Sequence, residues 1–266
     1  MLRHVTTPDG VRIACEVSGE GPPLVLVHGA TSARWSFDAV RPHLERRFTV
    51  IAIDRRGRGD STDGNEYGLT HECDDVAAVV RDAGPGALLL GHSYGGLVAA
   101  GSALQLELPR LALYEPAVGR GLTNAETIER WERLIEDGEH DAVTREFLRE
   151  IAGYDDAAID AMERTPLWEA RREVVPTLPR ELRAELAHSF DERALGKVEA
   201  PTLLLVGSQS PAWAVKSVEE HAKAIPRAET RVLEGHGHGA NVTGPDLLAA
   251  ELARFFATGS DVSREP

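Results

Sequence analysis

Apolar positions along this chain alternate between short continuous runs and longer stretches with helical spacing. Residues 2–6 and 11–17 flank the turn Pro8-Asp9-Gly10, and Val11, Ile13, Cys15 and Val17 fall on one face of the second segment. That period of two predicts a half-buried strand. Leu24-Val25-Leu26-Val27 is instead apolar at every position, the pattern of a strand covered on both faces in a parallel sheet. Similar runs follow at 48–54, 87–90, 111–114 and 202–207, with a further strand at 229–233. Helical spacing predicts helices starting near Trp35 and over 69–83, 213–225 and 245–257, with another after the run at 87–90. This alternation predicts an α/β fold, a mostly parallel central sheet with helices on both faces. Residues 259–266 read as a frayed end.

The pattern changes over residues 119–195. Leucine, alanine and charged residues dominate, and Gly138, Gly153, Pro166, Pro176 and Pro179 break the stretch into short helices. No strand-like run occurs there. The predicted organisation is a core of residues 1–118 and 196–266, with 119–195 inserted after the sixth strand as a helical lid.

One join between strand and helix carries chemistry. Gly91-His92-Ser93-Tyr94-Gly95 lies between the apolar run 87–90 and the small-residue stretch Gly96-Leu97-Val98-Ala99-Ala100. A strand turning sharply into a helix forces its central residue into a strained conformation, and side chains two positions to either side would collide. The serine hydroxyl then stands at the apex, beside the free N–H groups of a helix N-terminus. The bare pattern arises by chance in roughly one chain in ten of this length, so it needs its flanking strand and helix to mean anything.

Composition narrows the partners. The 266 residues carry 43 acidic against 29 basic side chains, a formal net charge of −14. Such a balance repels phosphate backbones and anionic membranes and argues against nucleic-acid binding. No apolar run approaches a membrane span, and the N-terminus lacks a signal-peptide core. Two cysteines, Cys15 and Cys73, without metal-ligand spacing read as free thiols in a reducing, cytoplasmic setting. Arg55-Arg56-Gly57-Arg58-Gly59-Asp60-Ser61 is glycine-punctuated and basic, but it lacks the Gly-Lys-Ser/Thr ending of a phosphate-binding loop. No dinucleotide loop and no clustered metal ligands occur, so no cofactor is expected; His236 and His238 with a nearby acid are the nearest approach to a metal site.

Four features in order, His28-Gly29 after a buried strand, the Asp54–Ser61 loop, the Gly-x-Ser-x-Gly turn and Gly237-His238 after the last strand, make the chain resemble the α/β-hydrolase superfamily over nearly its whole length. Within it, the chain looks most like small lidded bacterial esterases and lactonases. The resemblance implies that Ser93 is the nucleophile and His238, rather than His236, the general base. It places the oxyanion hole at the backbone N–H groups of Tyr94 and Ala30, with Thr31 as a weaker candidate, and it makes His28 and His92 structural.

The acid departs from the commoner pattern. In the superfamily it usually follows the strand corresponding to 202–206, but Gly207-Ser208-Gln209-Ser210-Pro211-Ala212-Trp213 holds no carboxylate. Glu115 closes the strand 111–114 at its C-terminal edge, where some members of the superfamily place their acid, and the order Ser93, Glu115, His238 is kept. Alternatively Glu115-Pro116 merely ends a strand at the hinge of the insertion.

The expected activity is cofactor-free hydrolysis of an apolar carboxylic ester or lactone, by a monomer or homodimer. The same triad also serves perhydrolysis, C–C bond hydrolysis or acyl transfer, because the pocket selects the attacking partner. Dehalogenase and epoxide hydrolase readings want a carboxylate where this chain has Ser93. A non-catalytic ligand-binding protein on this fold is the remaining class. Trp131, Tyr154 and Trp168 of the insertion are candidate substrate contacts, although aromatics so spaced also suit the core of the insertion.

Overall fold

The computed structural model describes residues 1–118, 123–187 and 192–257; the expected frayed end at 259–266 lies outside them. Eight strands form one sheet: β1 (Leu2–Thr6), β2 (Arg12–Ser18), β3 (Pro23–Val27), β4 (Thr49–Ile53), β5 (Leu88–His92), β6 (Leu111–Tyr114), β7 (Thr202–Gly207) and β8 (Ala228–Leu233). Their order across the sheet is β1-β2-β4-β3-β5-β6-β7-β8. The β1–β2 and β2–β4 pairings are antiparallel and the remaining five are parallel.

The continuous apolar runs are explained by two cores of alternating membership. Val25, Val27, Ile51, Ile53, Leu89, Leu111 and Leu113 point to one face, and Leu24, Leu26, Val50, Ala52, Leu88, Leu90 and Ala112 to the other. The first face also takes Val76 and Val79, Val98 and Val218, and the second takes Leu44 and Leu248, Leu252 and Phe255. A strand with period-two geometry must be apolar at every position when both faces are covered. The edge strand β8 is not so covered and carries Glu229 and Arg231, the latter paired with Glu251 at 2.8 Å.

The helices in order are α1 (Arg41–Leu44), α2 (Leu69–Ala83), α3 (Tyr94–Ala103), α4 (Ala125–Glu136), α5 (His140–Glu150), α6 (Asp156–Met162), α7 (Pro166–Val174), α8 (Leu178–Ala187), α9 (Glu192–Leu195), α10 (Ala212–Ala224), α11 (Ala240–Thr243) and α12 (Pro245–Ala257). The helix expected near Trp35 is only a 3-10 turn, Arg34–Phe37, followed by the single turn of α1. Asp54 accepts the Arg34 backbone N–H at 2.9 Å and so fixes where the chain turns. No helix among the described residues is long and apolar enough to cross a membrane.

The helices between β6 and β7 enclose an apolar cluster of their own, which includes Ile128, Trp131, Val143, Trp168, Val175 and Leu178. Asn124 and Asp155 cap α4 and α6 by accepting backbone N–H groups at 2.9 and 2.8 Å, and Pro166 starts α7. A buried ion cluster joins this insertion to the sheet. Glu181 of α8 accepts from Arg55 and, at 2.5 Å, from Arg58, while Arg55 also pairs with Glu72 at 2.7 Å. Arg56 is held bidentately by Asp75, at 2.6 and 2.7 Å. The three arginines of the 55–58 loop are thus structural, each buried and each neutralised.

Candidate active site

Ser93 stands where β5 turns into α3, with φ 56° and ψ −124°. Among the described residues only three non-glycines have positive φ, namely Thr31 at 46°, Ser93 and Glu115 at 45°. They sit in the loops leaving β3, β5 and β6, at the end of a parallel sheet where sites gather. Each such conformation costs about 1–3 kcal/mol and persists only if the surroundings fix it. Here Ser93 N–H donates to Tyr114 O at 3.0 Å, and Ala117 N–H donates back to Ser93 O at 3.0 Å. Glycine is required on both sides: a side chain at Gly91 would meet α3, and one at Gly95 would meet the carbonyls of Val27 and His28.

The loop after β8 brings His238 to the same place. Its Nδ1–H donates to Glu115 Oε2 at 2.5 Å. Glu115 is fully buried, and its other oxygen accepts from Gly207 N–H at 2.8 Å and from Ser210 Oγ. Three donors thus converge on one carboxylate. Ser210 lies in the loop that lacks an acid, and it supports Glu115 instead of meeting the histidine. With Nδ1 donating, Nε2 of His238 is free to accept a proton.

The histidine loop is held from several sides. Tyr114 hydroxyl donates to Gly237 O and accepts from Ala240 N–H at 3.0 Å. His92 Nε2–H donates to His238 O at 2.9 Å, and burial beside His238 holds the His92 pKa far below its ordinary value. Trp213 packs edge-on to His238, with ring centroids 5.1 Å apart. His236, two residues earlier, turns away to Thr243 Oγ1 at 3.0 Å.

Across from Ser93 runs the loop His28–Ser32. His28 is buried and its pKa is pushed well down by desolvation; it donates from Nδ1 to Gly29 O at 2.9 Å and accepts the Arg55 N–H at 3.1 Å. It holds the loop and does not line the cavity. Gly29 packs closely on Ser93, since a Cβ there would lie 3.0 Å from the serine Cβ. The next N–H is that of Ala30, and the first N–H of α3, at Tyr94, has no carbonyl one turn before it. Neither donates to a protein acceptor among the described residues.

Ser93, His238, Ala30 and Tyr154 line one cavity of about 230 Å³. Phe147, Leu148, Leu167 and Arg171 of the insertion line it too, as does Trp35. Trp131 and Trp168, expected as substrate contacts, do not reach it. Trp131 is fully enclosed in the insertion core and donates to Glu146 at 2.7 Å, and Trp168 donates to Asp141 at 2.7 Å. A buried indole N–H needs a partner, and both found one inside the insertion. Ser93 Oγ makes no hydrogen bond among the described residues, although it lines the same cavity as His238.

A model of the alpha/beta hydrolase family matches residues 24–251. The chain belongs to the alpha/beta hydrolase family. An alpha/beta hydrolase from Sphaerobacter thermophilus superposes with a TM-score of 0.85, at 33% identity over 96% of this chain and all of that one. The 2-(acetamidomethylene)succinate hydrolase of Mesorhizobium japonicum is 26% identical over 90% of this chain and 89% of its own length. The probable oxidoreductase EphD of Mycobacterium tuberculosis is 27% identical over 99% of this chain, which spans 51% of EphD. In this alpha/beta hydrolase the groups missed by sequence reasoning are Trp35 and Arg171. Nothing local to them signals a site, because their neighbours come from remote segments.

Proposed function

We propose that this chain is a serine hydrolase of small carboxylic esters or lactones, with residues 119–195 acting as a lid over Ser93. The observation that carries the reading is the buried Glu115–His238 pair at 2.5 Å under a cavity that Ser93 also lines. Ser93 Oγ attacks the substrate carbonyl and gives its proton to His238 Nε2, while Glu115 holds the Nδ1–H tautomer and steadies the imidazolium. The N–H groups of Ala30 and Tyr94 receive the charge that develops on the carbonyl oxygen; losing one such donor typically costs about 10²–10³ in rate. His238 then protonates the leaving oxygen, an acyl-Ser93 remains, and water activated by the same histidine releases the acid.

The family supports hydrolysis in general more firmly than ester cleavage in particular. One relative is named for hydrolysis of 2-(acetamidomethylene)succinate, and the triad alone does not choose the scissile bond. A cavity smaller than the usual drug-sized pocket favours small substrates. Hydrolysis of p-nitrophenyl esters of rising chain length, compared between the parent and Ser93→Ala, tests the reading. Ser93→Ala should keep the fold and lower turnover by ~10⁴-fold or more. Turnover within tenfold of the parent would remove Ser93 from the chemistry.

A further inference from the structure

We propose that Arg171 binds a carboxylate on the substrate, so that the cavity takes an anionic ester or amide in place of an apolar one. Arg171 lies on α7 and lines the cavity that holds Ser93 and His238. Its Nη1 donates to Thr31 O at 2.9 Å and to Thr31 Oγ1 at 3.0 Å, which uses both hydrogens on that nitrogen. Its Nε is buried without a partner, and Nη2 makes no hydrogen bond among the described residues. The Nε–Nη2 edge is therefore unused, and its two parallel N–H bonds match the two oxygens of a carboxylate.

An unpartnered Nε is shared with Arg55 and Arg58; what sets Arg171 apart from Arg55 is the lack of a carboxylate. Both guanidiniums brace the His28–Ser32 loop, Arg55 through Gly29 O at 3.1 Å and Arg171 through Thr31. Both lie over an aromatic ring, Arg55 over Tyr94 at 4.7 Å and Arg171 over Trp35 at 5.5 Å. Arg55 has Glu72 and Glu181; Arg171 has no carboxylate among the described residues. A chain with 43 acidic side chains has left this cation without one, at the wall of its candidate active site. Arg171 is half-buried, with its Nε out of solvent, and a partly desolvated charge without a counter-ion is costly in proportion, a cost that a ligand anion relieves.

The neighbouring groups agree with an anion of single charge. Burial pulls the Arg171 pKa down, with only the Tyr154 hydroxyl acting in the other direction, and the guanidinium charge in turn depresses His92. Besides Arg171 and the two histidines, the ionisable side chains on the lining are Tyr154 and Asp38, and Asp38 faces Arg41 at 3.2 Å near the surface. One fork, with an acid at the mouth, suits a carboxylate better than a phosphate dianion. Arg171 is a specificity-determining residue in this account, placed beside Thr31 and the Ala30 N–H. The reaction of the bound ester rests on the hydrolase reading; the binding of the anion does not.

Calorimetry on the Ser93→Ala protein separates the two. Its probes are monomethyl glutarate, which carries a carboxylate, and dimethyl glutarate, which does not. The monoester is expected to bind at least about tenfold more tightly, the scale of a charge-assisted bidentate pair. Adding Arg171→Leu should abolish that preference, and Arg171→Lys, which keeps the charge and loses the fork, should retain only part of it. Equal affinity for the two esters, no binding of the monoester, or a preference that survives loss of Arg171 would overturn the proposal. Should Arg171→Leu not fold, the parent preference and its reduction in Arg171→Lys decide. Labelling of Ser93 by a fluorophosphonate in the parent protein independently decides the hydrolase reading.

Discussion

Ser93, Glu115 and His238 stand on loops that leave β5, β6 and β8, whereas Leu167 and Arg171, which line the same cavity, stand on a helix of the insertion. The floor is positioned by parallel strand pairings and by backbone hydrogen bonds from the loops to the neighbouring strands, such as Ser93 N–H to Tyr114 O and Glu115 N–H to Leu205 O at 3.0 Å each. The roof is positioned by side-chain packing within a separate apolar cluster and by a few polar ties, among them Trp213 Nε1–H to Ile151 O at 2.7 Å. A sheet end can hold atoms to the tolerance that proton transfer needs, and a packed helix offers surface that can be changed with less consequence for the chemistry. The floor should therefore govern turnover and the roof should govern selectivity and stability.

The largest expected effect lies on the floor and distinguishes two neighbouring histidines. His238→Ala should lower ester turnover by ~10⁴-fold with little loss of stability. His236→Ala removes a contact to Thr243 and should leave turnover within about threefold of the parent. Equal losses from the two variants, measured as kcat on one small ester, would break the assignment of His238.

A smaller effect in free energy belongs to the roof. Trp131→Ala removes the largest fully enclosed side chain among the described residues and leaves Glu146 without its indole partner. It should lower stability by about 3–5 kcal/mol, read from urea unfolding, while the folded fraction keeps its specific turnover. A stable variant with altered substrate preference would return Trp131 to the list of substrate contacts.

The smallest effect sits at the seam of the two regions. Glu185 of α8 is buried near Glu181, and its carboxyl is pushed up to about 7 by burial first and by the neighbouring charge second. Folding therefore favours the protonated form. The group's contribution to stability is fully present below pH 4.5, its ordinary value, fades as pH rises, and is lost above about 7. Glu185→Gln should then gain about 1–3 kcal/mol on the parent at pH 8 relative to pH 4. The difference between their urea midpoints at the two pH values measures it, and no change in that difference would count against a buried, protonated Glu185.

The two regions also differ in how legible they are from sequence. Floor residues occupy short motifs at strand ends, where Gly91 and Gly95 report a backbone constraint and the missing carboxylate of 207–213 directs attention to Glu115. Element bounds were equally plain where burial on both faces makes every position apolar, as in Leu24–Val27, and 69–83 and 245–257 emerge as helices at the expected residues. The roof is obscured by helix rotation. On α7, Leu167 and Arg171 lie four apart and line the cavity, while, one residue further, Trp168 donates to Asp141 and Arg172 forms an ion pair with it, at 2.7 Å each. A turn of about 100° separates a substrate contact from a core residue, and Trp168 attracts notice for its size alone. Arg171 is marked only by the lack of an acid near it in space, which no spacing along the chain records.

In the proposed mechanism Glu115, and no group of the 207–213 loop, orients His238 for attack by Ser93. The rate of labelling by a fluorophosphonate, followed by mass spectrometry of the peptide bearing the label, tests it without a known substrate. The expected result is one label on Ser93, a rate ~10²-fold or more lower in Glu115→Gln, and a much smaller change in Ser210→Ala. A label on another residue, or Glu115→Gln labelled at the parent's rate, would contradict it.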